Sequence, residues 1–134
     1  MKIYLDENLS EYIAEALASL SKVAYPKIEV HSTKTIFRRG EADEVLIPKI
    51  GAEGSILITK DFNIKKTQLQ FGLCQRHELG IFFLTLPKGQ DKHWETVKVL
   101  INNWEEIVQK SEHDQLPFAY RIRIKGKMEK LKLQ

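Results

Sequence analysis

Short apolar runs alternate along the chain with longer stretches in which apolar residues recur every three or four positions. Lys2-Ile3-Tyr4-Leu5 is the first run, a strand that passes directly into Asp6-Glu7-Asn8. Ser10 then suits an N-cap for Ile13, Ala16, Leu17 and Leu20, whose spacing predicts a helix ending near Ser21. Pro26 interrupts the pattern, Ile28 to His31 reads as a second, weaker strand, and Thr35 to Gly40 as a basic loop. Glu41-Ala42-Asp43-Glu44 opens a second helix with Val45, Leu46, Ile47 and Ile50 inward and Gly51 and Gly54 as stop signals. Pro48 predicts that this helix is short or kinked, because proline removes a backbone donor and crowds the preceding turn.

The next strand, 55 to 59, is a buried run that delivers Asp61 at its carboxyl end, where open α/β sheets place their ligands. Thr67 with Gln70 suits a capping box, opening a third helix through Leu69 and Leu73 that stops at Gly80. Ile81 to Leu86 is the most hydrophobic run and predicts a strand covered on both faces. After a turn at Pro87 to Gln90, Asp91 is the expected N-cap of a long amphipathic helix. Its stripe is Trp94, Val97, Leu100 or Ile101, Trp104, Ile107 and Val108, with both tryptophans in the core. Phe118, Tyr120, Ile122 and Ile124 alternate with polar or small residues, as in a half-exposed or edge strand. This order predicts an α/β fold: one three-layer α/β/α sandwich around a mainly parallel sheet. It spans residues 1–134, with the core in about 1–112 and a basic strand and tail at 116–134.

Charge sharpens that last boundary. Residues 118–134 hold six lysines and arginines against the single Glu129, so with a net charge of +3 overall the rest of the chain is slightly acidic. An acidic or polyanionic partner for the tail follows as an expectation, with a plain solvated surface as the alternative. Cys74 is the only cysteine, which excludes an internal disulfide and suits a reducing compartment. No signal-peptide pattern follows Met1-Lys2 and no apolar run approaches the roughly 20 residues of a membrane span, so a cytoplasmic location without membrane contact is expected.

Three carboxylates fall where this architecture would gather them: Asp6 after the first strand, Asp43 at the second helix and Asp61 after the third strand. Each could instead simply cap a helix. Gathered together they would raise one another's pKa unless a cation compensates, and Mg²⁺ or Mn²⁺ suits carboxylate and water oxygens. Such a site activates water and neutralises charge on a phosphodiester under in-line attack. Asn8 could orient a carboxylate or water through its amide, while Glu7 and Glu44 have solvent exposure as their ordinary explanation. The four histidines show no ligand spacing, Cys74 reads as a buried thiol, and no glycine-rich phosphate loop appears. These exclude zinc chemistry, thiol catalysis and nucleotide dependence as readings of the sequence.

Three motifs then carry a family resemblance: Leu5-Asp6-Glu7-Asn8-Leu9, Arg39 to Leu46, and Ile56 to Ile64 with its Thr59-Lys60-Asp61. In this order and spacing they resemble the small PIN-like domains related to VapC toxins, over roughly the first 86 residues. The resemblance implies an α/β/α sandwich and an Mg²⁺- or Mn²⁺-dependent ribonuclease with Asp6, Asp43 and Asp61 as catalytic, metal-binding acids. Glu7, Asn8, Glu44, Thr59 and Asn63 would be auxiliary, and Arg38, Arg39, Lys60, Lys65 and Lys66 would hold RNA phosphates. The Ser21 to Gly40 connection lacks the helix that bears a further acid in larger PIN nucleases, with Glu44 as a substitute. Toxin relatives imply an antitoxin partner and a homodimer. Two rivals stand beside this reading: a PIN-like scaffold that binds RNA or protein without cutting, and a phospho-acceptor receiver domain, which would use a hydroxyl such as Thr85.

Overall fold

The computed structural model describes residues 1–37, 39–60 and 64–133. Strand β1 (Lys2–Leu5) leads into helix α1 (Glu11–Ala24), β2 (Glu29–Ser32), the single turn α2 (Thr33–Ile36) and α3 (Asp43–Ala52). Then follow β3 (Ile56–Lys60), α4 (Ile64–His77), β4 (Gly80–Thr85), α5 (His93–His113), β5 (Phe118–Arg123) and β6 (Glu129–Lys130). The six strands form one sheet in the order β2-β1-β3-β4-β5-β6, with every pair parallel except β5–β6. Only the antiparallel hairpin could be closed by a short connection. The parallel pairs need crossovers, and the helices supply them.

Side-chain parity divides the core. Ile3, Leu5, Ile56, Ile58, Phe82 and Leu84 face α1 and α5, while Tyr4, Leu57, Ile81 and Phe83 face α3 and α4. The expected three-layer sandwich is therefore present, and its central strands are apolar on both sides as parallel strands must be. Glycine allows two close approaches in it. A Cβ on Gly80 would lie 2.3 Å from the Phe118 ring on the neighbouring strand, and one on Gly51 would lie 2.4 Å from the carbonyl oxygen of His77, where α3 crosses the end of α4.

Several boundaries differ from the sequence expectations. Ser10 caps α1 as expected, accepting the Tyr12 N–H at 3.1 Å. Asp43, however, is the first residue of α3 and the cap position belongs to Ala42, whose side chain can accept nothing. Asp91 likewise yields the cap of α5 to Lys92. Helix α4 begins at Ile64, so Thr67 and Gln70 lie inside it and do not cap it. Thr35 and Ile36, expected in a loop, close the turn of α2, which contains no acid. Val45 points outward at 44% exposure, and Trp94 is 66% exposed while Trp104 is only 7% exposed. Along the α5 stripe Leu100, Trp104, Ile107 and Val108 are buried, whereas Trp94 and Ile101 stay exposed. Trp94 and Ile101 border a shallow apolar groove with Tyr12 and Leu20 of α1.

Candidate active site

Parity also brings polar groups to one place. Tyr4 and Leu57 face α3 and α4, so two residues further on the same side of the sheet is reached by Asp6 and Thr59. This is the crevice beside β1 and β3, where the strand order reverses and open α/β sheets bind their ligands. A cleft of about 460 Å³ opens there, bounded by Asp6 and Glu7 from the sheet, Glu41 and Asp43 at the start of α3, and Lys65 and Lys66 from the first turn of α4.

Asp6 is held from three directions and is only 3% exposed. Its Oδ1 accepts the Glu7 N–H at 2.9 Å, and its Oδ2 accepts the Thr59 hydroxyl at 2.8 Å and the Gln70 Nε2–H at 3.4 Å. Asn8 ties the two strand ends together: its Nδ2 donates to Thr59 Oγ1 at 3.3 Å, and its Oδ1 accepts the Lys60 N–H at 3.4 Å. Asn8 and Thr59 thus support Asp6 through a chain of donors.

Asp43 reaches the same cleft with less support. Burial holds its carboxyl above the usual carboxylate range, and the negative charge of Asp6 pushes it further up. The Lys66 ammonium and the nearby Gln70 amide act in the opposite direction. Two acids that feel each other electrostatically across a cleft, beside two lysines, form a charge arrangement that favours a hard cation and an anionic ligand together. Asp61 and Asn63 lie outside the described residues, as does Arg38. Among the described residues no group of three His, Cys, Asp or Glu side chains is close enough to hold a metal ion.

The other expected site residues separate into distinct positions. Glu7 lines the cleft and accepts the Gly40 N–H at 3.1 Å, clasping the loop ahead of α3. Glu44 is exposed and does not line the cleft, whereas Glu41, which the sequence did not single out, does. Lys65 and Lys66 face the acids. Lys60 donates instead to the Asp91 carbonyl at 3.1 Å, and Arg39 pairs with Glu11 at 3.4 Å on the surface. Gln70 is the main residue that sequence reasoning misplaced. Its signal was available, since Gln70, Leu73 and Cys74 recur at helical spacing and all three are buried. Cys74 itself is an inert core thiol: burial pushes it up to about 12, and it donates to the Leu79 carbonyl at 3.0 Å.

A family model described as a PIN-like domain matches residues 1–86, from β1 through the residue after β4. The chain belongs to the PIN-like domain family. PIN-like domains are commonly nucleases and typically use divalent metals. The matched span contains every cleft residue named above, while α5, β5 and β6 follow it. Phospho-acceptor receivers share the strand order but not this family, so membership weighs against the receiver reading. No match was found among curated proteins or among solved structures. No helix among the described residues is long and apolar enough to cross a membrane.

Proposed function

We propose that this PIN-like domain is a metal-dependent endoribonuclease, the toxin of a toxin–antitoxin pair, with Asp6, Asp43 and Asp61 as its catalytic acids. The observation that carries the reading is the joining of Asp6 and Asp43, 37 positions apart in sequence, in one cleft whose opposite wall is basic. The donor set fits a hard divalent cation, for the acids offer only oxygen and Asp43 is penalised for its charge in the cation's absence. Mg²⁺ or Mn²⁺ bound by these acids would supply water activation and neutralise charge on the phosphodiester.

The chain's own residues do the rest. Three donors fix the Asp6 carboxylate, so little rotation remains to be frozen when it engages a ligand. Lys65 and Lys66 attract backbone phosphates to the cleft mouth; they position RNA without reading its sequence. The Glu7 clasp on Gly40 holds the loop that carries Arg39 beside the same opening. The basic segment 118–134 is the surface for either a longer RNA track or an acidic antitoxin. Two of its arginines, Arg121 and Arg123, already share Glu129 at 3.9 and 2.6 Å.

The test is cleavage of structured RNA with Mn²⁺, with EDTA and the substitutions Asp6→Asn and Asp43→Asn as controls. The expected outcome is cleavage that EDTA stops and that each substitution lowers by at least about 100-fold, the scale of losing a group that stabilises charge in the transition state. RNA retained but uncut by metal-loaded wild-type protein would instead establish a binding scaffold.

A further inference from the structure

Gln70 is a fully buried polar residue on the apolar stripe of α4, and the reading above uses it only as one of three donors to Asp6. Its Nε2 donates to Asp6 Oδ2 at 3.4 Å. Its Oε1 is buried with no hydrogen-bond partner among the described residues. Buried acceptors without partners are rare and costly, so something must hold the amide in this orientation. Asp6 does. Turning the amide over would direct its oxygen at the Asp6 carboxylate, whereas the present orientation offers that carboxylate an N–H. The satisfaction of Asp6 outweighs that of Gln70 itself.

We propose that Gln70 is a positioning residue of the cleft: its buried amide, reaching across from α4, holds the Asp6 carboxylate in place for a divalent cation. The proposal rests on the cation reading of the site and adds to it the helix residue that fixes the sheet acid. Without this donor, Asp6 keeps its Glu7 and Thr59 bonds, but its Oδ2 loses the partner on the α4 side. Gln70 touches neither the cation nor RNA in this scheme; it acts through Asp6.

Mn²⁺ titration by calorimetry, with melting curves at each Mn²⁺ concentration, tests the proposal on wild type, Gln70→Leu and Gln70→Glu. Gln70→Leu keeps the volume without the donors and should bind Mn²⁺ at least about 10-fold more weakly, as expected when a partner that orients metal ligands is removed. Gln70→Glu adds a further carboxylate. It should melt below wild type without metal, yet show a larger Mn²⁺-induced rise in Tm, because the cation then relieves more repulsion. A merely structural glutamine predicts lower melting temperatures in both variants at unchanged Mn²⁺ affinity, and that result overturns the proposal. Should Gln70→Leu fail to fold, NMR of the wild-type side-chain amides decides: the Gln70 NH₂ signals should shift on saturation with Mg²⁺, and signals that stay in place overturn the proposal. Wild-type protein that takes up neither ion sinks the cation reading as well. Uptake with equal affinity in Gln70→Leu sinks the positioning role alone.

Discussion

The two faces of the sheet are built from the same strands but packed to different ends. On the α1 and α5 side the core is the larger and almost wholly apolar, and its buried indole is satisfied locally, Trp104 Nε1 donating to Ser21 Oγ at 2.8 Å. On the α3 and α4 side the core is smaller, and toward the strand ends it gives way to Asp6, Thr59 and Gln70, all buried and polar. The difference teaches where this fold places stability and where it places chemistry. One face supplies dry packing that tolerates no polar gap. The other gives up part of its apolar burial to hold charges that only a ligand can fully offset.

Substitutions on the two faces should therefore separate folding from binding. Trp104→Ala removes the largest side chain of the dry face and should cost about 3–5 kcal/mol in urea unfolding, the usual range for a buried aromatic truncated to alanine. Gly51→Ala drives a methyl into the His77 carbonyl and should cost about 1–3 kcal/mol by forcing α3 away from α4. Because those helices carry Asp43 and Gln70, it should weaken Mn²⁺ uptake more than Trp104→Ala does in whatever fraction remains folded. Equal effects on uptake would blur the contrast between the faces.

Asp43→Asn should have the opposite sign in metal-free protein. The folded state holds the Asp43 carboxyl above its ordinary range, so folding binds a proton there more tightly than the unfolded chain does. The contribution is favourable at acid pH and is lost as pH rises through the folded pKa, so at neutral pH the charged Asp43 is a liability. The asparagine variant should melt slightly higher at neutral pH, by less than about 1 kcal/mol because the site is partly open to solvent screening. Its advantage should shrink on mild acidification. Melting curves at two pH values check this, and a variant that melts lower at neutral pH would make Asp43 structural. Smallest of all, Trp94→Ala should change stability by no more than about 0.5 kcal/mol, since that indole faces solvent.

The two tryptophans also show how far the sequence could be read. Both sit on one helical period, and periodicity alone cannot say that Trp104 is buried on Ser21 of α1 while Trp94 stays mostly exposed at the edge of the α1–α5 groove. The strands were legible because parallel strands buried on both faces are continuous apolar runs, and the family emerged from acids placed just past them. Helix starts were less legible. Asp43, Thr67 and Asp91 all carry capping chemistry in sequence, yet none caps its helix in the structure, where Ala42 and Lys92 hold two of those positions without a side-chain bond. Gln70 was misassigned to a capping box although its phase with Leu73 and Cys74 places it on the buried stripe, and only tertiary structure brings Asp6, the acid it answers to, beside it.

The cluster of Phe82, Phe118 and Tyr120 rings across β4 and β5 has a consequence for where the protein can be cut. The family match stops at residue 86, just past β4, yet Phe118 lies against Gly80 and every residue of β4 pairs with β5. Trimmed to the matched span, the polypeptide would finish on a bare greasy border strand with its amides open to any neighbour, a template for clumping. The last third of the molecule is thus the selvage that keeps the woven part from fraying.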